Sequence, residues 1–125
     1  VRMLQSDNLA GEIPDLPCVV DTANGWPADV FVSLHCNAAS GSAQGTETLI
    51  YADGGASEQL ADCIQSQIIA SLGTIDRGLK ERPDLIVLNS TDMPAVLVEM
   101  AFVDNDEDAQ IFSLPVGLMA CVDIV

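Results

Sequence analysis

The sequence predicts one α/β domain built on a sheet that is covered on both faces. Three observations carry that prediction. Residues 29–35 and 95–102 are apolar at both alternating positions, which marks strands buried on two sides. Residues 57–72 keep a different rhythm: Leu60, Ile64, Ile68 and Leu72 step by four, with Ala61 on the same face, as a helix requires. The chain has 125 residues, 49% hydrophobic and only 4% aromatic, enough for one aliphatic core of Val, Leu, Ile and Ala.

In chain order, residues 1–5 read as the end of a strand, and residues 6–18 as a loop broken by Pro14 and Pro17. A short helix is expected over 19–25, with a turn at Gly25-Trp26-Pro27, and then the buried strand 29–35. Small residues from Gly41 to Gly45 make a loop. Thr46-Glu47-Thr48-Leu49-Ile50-Tyr51 alternates and is rich in β-formers, so it reads as a strand with one open face, ended by Gly54-Gly55. Ser57 suits the N-cap of the long helix, Glu58 its first turn, and Gly73 the position past its end. Leu85 to Leu88 reads as a short strand, and Ala95 to Met100 as the most buried one. Residues 105–112 look helical, and the apolar stretch 115–125 reads as a last helix. No repeat, low-complexity tract or linker divides residues 1–125.

Charge and cysteine usage narrow the function. Nineteen acids against four Lys and Arg give a formal charge of −15. That argues against nucleic acid, whose phosphates need cations, and against an anionic membrane surface. No apolar run approaches the ~20 residues of a membrane span, and the first residues carry no signal peptide. Opening on Val rather than Met fits an excised piece. The one acidic cluster, Asp104-Asn105-Asp106-Glu107-Asp108, reads as a solvated helix start. A calcium loop needs a longer ligand pattern. Among Cys18, Cys36, Cys63 and Cys121, no pair has the two-residue spacing of a zinc knuckle or redox motif. The last three lie in apolar surroundings and read as small core residues. One disulfide is possible, but the sequence does not pair the cysteines.

Chemistry concentrates at two strand ends. Glu99 is the lone charge in Ala95-Val96-Leu97-Val98-Glu99-Met100-Ala101-Phe102, where burial penalises an ionised carboxylate. It can be a metal ligand, a general base, or half of an ion pair with Arg77 or Lys80. His35, the only histidine, ends the other apolar strand, and can be a metal ligand, a general base or a structural residue. Ligands of α/β sheets bind outside the carboxyl ends of strands, so the two are expected to share a crevice. Cys36 points away from His35 as its strand neighbour, which argues against a Cys-His nucleophile pair. Ser33 shares the face of His35 but lacks the strand-to-helix elbow of a serine hydrolase.

These segments also carry a family resemblance. Ala28-Asp29-Val30-Phe31-Val32-Ser33-Leu34-His35-Cys36-Asn37-Ala38 resembles the second-histidine motif of the zinc-dependent N-acetylmuramoyl-L-alanine amidases, the amidase-3 family of cell-wall hydrolases. Ala23-Asn24, Gly45-Thr46-Glu47-Thr48, Leu72-Gly73, Asp76-Arg77-Gly78-Leu79-Lys80 and Met93-Pro94 through Asn105 are similar to that family in order and spacing. The resemblance implies a twisted mixed sheet flanked by helices, and hydrolysis of the amide joining N-acetylmuramic acid to L-alanine in peptidoglycan. It implies one zinc held by two histidines and a glutamate. His35 matches the second histidine, Glu99 the catalytic glutamate, and Asn37 a substrate-side position beside the pocket. The first histidine and the zinc glutamate are expected upstream of Val1, with the family's first strand and helix. The segment is thus an N-terminally incomplete catalytic domain, expected to be inactive alone and to leave a sheet edge exposed. A secreted monomer working in the wall or periplasm follows from the same resemblance, as an autolysin, spore enzyme or phage lysin. The alternatives are a peptidoglycan-binding module without catalysis and a metal-independent hydrolase with His35 as base. Cys36 and Asn89 depart from the family pattern.

Overall fold

A computed structural model describes residues 1, 4, 16–113 and 122–124. The strand end expected at residues 1–5 and the loop with Pro14 fall almost wholly outside them, as do Cys121 and the side chain of Cys18. The described elements are α1 (Leu16–Gly25), β1 (Phe31–Asn37), β2 (Thr46–Ile50), α2 (Ala56–Leu72), β3 (Asp76–Glu81), α3 (Ile86–Asn89), β4 (Ala95–Phe102), α4 (Asp106–Ala109) and β5 (Val122–Ile124). A 3₁₀ turn, Gln110–Ser113, follows α4. The sheet is mixed, in the order β3-β2-β4-β1-β5. Central β4 runs parallel to β1 and antiparallel to β2, β2 runs parallel to β3, and β5 is antiparallel to β1.

Alternation along the strands sends side chains into two cores. Leu34, Ile50, Val96, Val98 and Met100 face α2, whose Leu60, Ala61, Ile64 and Ile68 supply the predicted stripe. Phe31, Leu49, Ala95 and Leu97 face the other way, against Val19, Val20 and Ala23 of α1 and Val87 and Leu88 of α3. A sheet covered on both faces is therefore what the doubly apolar strands encode.

Several elements differ from the sequence reading. Helix α1 begins at Leu16 and takes in Pro17, because the first helical turn needs no backbone donor from that residue. Strand β2 has no open face: Thr46, Thr48 and Ile50 are buried on the α2 side and Leu49 on the α1/α3 side. Thr48 Oγ1 donates to Gln65 Oε1 at 2.8 Å and Thr46 Oγ1 to the Met100 carbonyl at 2.6 Å, so its buried hydroxyls are satisfied. Helix α2 starts one residue early, with Gly55 at the N-cap. Ser57 Oγ accepts instead from the Ala95 amide at 3.2 Å, tying α2 to the start of β4. Gly73 closes α2 as expected, at φ 69°.

Leu85 to Leu88 is not a strand. A four-residue apolar run fits either state; here the Leu88 and Asn89 amides bond back to the Leu85 carbonyl and a turn of helix results. The missed strand is β3, too polar to read as one, since a sheet edge accepts charges that a centre rejects. In place of the end of a last helix, Val122–Ile124 pairs antiparallel with β1. Cys63 is exposed rather than buried, whereas Cys36 packs partly into the α2-side core.

Candidate active site

The face that packs on α1 and α3 changes character along the strands. Beyond Phe31, Ala95 and Leu97, toward the carboxyl ends of β1 and β4, it carries Ser33, His35, Asn37 and Glu99. His35 is paired with Glu99 across β1 and β4, and Glu99 with Glu47 across β4 and β2. Side chains of directly opposed residues share a face. The structure thus sets His35, Glu99 and Glu47 side by side in one row across three strands. Beyond His35 the register slips, and Asn37 pairs with Phe102. The extra residue on β4 re-aims Phe102 toward the row. Arg77 of β3 lies 5.0 Å over its ring.

Among the described residues, Glu47 and His35 have polar side-chain partners and Glu99 Oε2 has none. Arg77 Nε donates to Glu47 Oε2 at 2.8 Å, and Asn37 Nδ2 to Glu47 Oε1 at 3.0 Å, so both Glu47 oxygens are engaged. His35 Nε2 lies 2.9 Å from Ser33 Oγ, which fixes the imidazole plane. Glu99 Oε2 is buried and accepts no hydrogen bond from the described residues. Burial pushes the Glu99 carboxyl above its ordinary value, neighbouring Glu47 pushes it further, and the charge of Arg82 opposes them. Neither Arg77 nor Lys80 pairs with Glu99: Arg77 holds Glu47, and Lys80 Nζ donates to the Arg77 carbonyl. Of the alternatives open for Glu99, the structural ion pair is therefore not the one observed.

The acidic cluster ties down the loop that follows β1. Asp104 Oδ2 accepts from the Ala39 and Gly41 amides, each at 2.9 Å, and buried Asp108 Oδ2 accepts from Gly45 and Phe102. Asn105 caps α4 through the Glu107 and Asp108 amides and donates to the Gly41 carbonyl at 2.9 Å. The expected helix start is present, but two of its acids staple the 38–45 loop rather than only facing water. Replacing Asn105 with Ala is expected to lower stability by about 1 kcal/mol, measured by urea unfolding.

A catalytic zinc ion takes three donors from the protein and keeps one position open. Among the described residues no group of three His, Cys, Asp or Glu side chains is placed to hold one. These residues alone therefore do not make a metal site; they offer one imidazole and one carboxylate oxygen without a partner. His35 and Glu99 stand out from the residues themselves, and Asn37 from the family resemblance. Glu47 and Ser33 are site members that the sequence does not mark, and Arg77, one of two cations open as a partner for Glu99, pairs with Glu47 instead. One signal was present: alternation puts Glu47 on the same side as Leu49, a charge on a core-facing stripe.

Fold and site together define an α/β domain with a carboxylate and an imidazole at the carboxyl ends of its central parallel strands. The sequence matches the model of the Amidase_3 family, N-acetylmuramoyl-L-alanine amidase, over residues 1–121. It is 41% identical over 91 residues to N-acetylmuramoyl-L-alanine amidase CwlM of Bacillus licheniformis, covering 72% of this chain and 35% of that protein. To N-acetylmuramoyl-L-alanine amidase LytC of Bacillus subtilis it is 43% identical over 95 residues, covering 72% and 18%. The crystal structure of N-acetylmuramoyl-L-alanine amidase from Clostridium difficile 630 superposes with a TM-score of 0.73 at 34% identity, over 78% of this chain and 53% of that one. This chain belongs to the N-acetylmuramoyl-L-alanine amidase family, Amidase_3. It spans less than half the length of the curated relatives it matches.

Proposed function

We propose that the whole protein hydrolyses the amide between N-acetylmuramic acid and the L-alanine of the peptidoglycan stem, as a secreted monomer acting in the cell wall. The observation that carries this reading is Glu99, unpartnered at one oxygen and set beside His35 where α/β sheets bind ligands. Glu99 takes the proton of the attacking water and passes it to the leaving nitrogen. Glu47 is unsuited to that task, because Arg77 and Asn37 occupy its oxygens. Asn37 keeps a second amide hydrogen for the substrate, since only one is spent on Glu47.

His35 serves as one ligand of a zinc ion, with the other histidine and the glutamate contributed from upstream of Val1. Zinc held there would bring the pKa of a water to about 7 and polarise the scissile carbonyl. Ser33 orients the imidazole for that role. On this reading the 125-residue segment alone is inactive. The binding-only alternative is not favoured, because the named relatives are amidases.

The test is metal content and cleavage of purified sacculi by the full-length protein. Wild type is expected to copurify with about one zinc per chain, to lose cleavage in a strong chelator, and to regain it with added zinc. His35→Ala is expected to lose the metal. Cleavage that persists in chelator would instead leave the metal-independent hydrolase standing, with His35 as base.

A further inference from the structure

Asn37 and Glu47 are joined although their strands are not neighbours. In the order β3-β2-β4-β1-β5, β4 lies between β1 and β2. Asn37 Nδ2 nevertheless donates to Glu47 Oε1 at 3.0 Å. Glu99 of β4 is paired with His35 on one side and with Glu47 on the other, and the extra β4 residue beyond it sets Asn37 opposite Phe102. The Asn37–Glu47 bond therefore bridges β4 between the levels of Glu99 and Phe102.

Both ends of the bridge are fixed. Glu47 is mostly buried, and Arg77 Nε holds its other oxygen at 2.8 Å. Arg77 is placed in turn by the Gln44 carbonyl, 3.3 Å from Nη1, and by the Phe102 ring beneath it. Asn37 Oδ1 accepts from the Ala38 amide at 2.9 Å. A carboxylate only accepts and a backbone N–H only donates, so Asn37 cannot flip: oxygen would face oxygen at Glu47, and NH₂ would face N–H at Ala38. One hydrogen on Nδ2 is left, in a fixed direction, and no described residue takes it. Asn37 lies on the His35 face, two residues and roughly 7 Å further along β1. A buried carboxylate–guanidinium pair is a weak source of stability, so stability alone does not account for Glu47.

We propose that Glu47 is a positioning residue: backed by Arg77, it holds Asn37 so that the remaining amide hydrogen meets a carbonyl oxygen of the substrate other than the one attacked. This rests on the amidase reading above and adds the residue that sets up a substrate contact. An acceptor that far from His35 gains no charge as the amide is cleaved. The contact therefore serves ground state and transition state alike, and its loss is read in KM rather than kcat.

The experiment is a double-mutant cycle in the full-length protein, with a soluble N-acetylmuramoyl-peptide as substrate. Gln at position 47 has one acceptor oxygen and cannot serve Arg77 and Asn37 together. Glu47→Gln is expected to raise KM about tenfold, with kcat within about twofold of wild type. Asn37→Ala is expected to raise KM by about the same factor. The double variant is expected to match Asn37→Ala alone, about tenfold and not a hundredfold, because Glu47 acts only through Asn37. Each variant is expected to keep the metal content of wild type. Arg77→Lys loosens Glu47 from the other side, since an ammonium cannot replace the guanidinium on carboxylate, carbonyl and ring at once. Its KM is expected to rise about threefold, and not at all when Asn37→Ala is already present, so a folding defect in Glu47→Gln does not remove the test. Multiplying KM effects, an unchanged KM in Glu47→Gln, or loss of metal from it overturn the positioning role and leave the amidase reading intact. Failure of wild type to cleave the substrate overturns the amidase reading, and the positioning role with it.

Discussion

Replacing Glu99 with Gln is expected to lower amide hydrolysis by the full-length protein about a thousandfold. Gln keeps the shape of the side chain and its place opposite His35 and Glu47, but it cannot accept a proton from water. The same substitution is expected to stabilise the metal-free protein at neutral pH. Burial and Glu47 raise the Glu99 carboxyl above its ordinary value of 4.5, so the folded state holds the proton more tightly than the unfolded one. Stability contributed by this group is fully present below 4.5 and is lost as pH rises through the higher folded value. Glu99 is thus a burden on the fold at pH 7 that Gln does not carry. Thermal unfolding should show the variant melting above wild type at pH 7 to 8, with the curves converging near pH 4. A difference constant across that range would mean that proton affinity at Glu99 is not what separates them. Unchanged hydrolysis would remove Glu99 from the reaction.

The two residues that matter most were visible in sequence for a physical reason. A charge inside an apolar strand is costly, so Glu99 stands out without any knowledge of its neighbours. His35 stands out because it closes a second such strand. Their register could not be read, because pairing between residues 64 positions apart is set by strand order and not by local pattern. Glu47 was hidden in a segment whose threonines mimic a solvated face. Only the tertiary partners, Gln65 and the Met100 carbonyl, show that those hydroxyls are buried. Arg77 was visible as a cation but not as the partner of Glu47, because the slip between Thr46 and Thr48 in the β2–β3 pairing decides what it meets. Strand β3 was invisible because an edge needs no apolar pattern. The α3 turn and β5 were misread because short apolar runs do not choose between helix and strand.

Replacing Gly45 with Ala is expected to lower stability by about 3 to 5 kcal/mol, from backbone strain and overpacking together. Gly45 sits at φ +104°, which side-chain-bearing residues rarely adopt. A Cβ there would lie 2.3 Å from the Ile75 carbonyl oxygen, 3.0 Å from Ile75 Cβ and 3.1 Å from Arg77 Cγ. Neither strand can withdraw freely. The Gly45 amide donates to buried Asp108 at 2.8 Å on one side, and the next amide, Thr46, donates to the Ile75 carbonyl at 2.9 Å on the other. Relief must come from moving β3, and β3 carries the Arg77 that holds Glu47 in the row. Loss of stability and loss of hydrolysis are therefore expected together in this variant. Gly54→Ala separates the two causes. Gly54 also has a positive φ, +89°, but an added Cβ meets nothing within 4 Å, so strain alone remains and the cost should be about 1 kcal/mol. Equal losses in the two variants, measured by urea unfolding, would mean that the close approach of the 38–45 loop to β3 does not hold the site together.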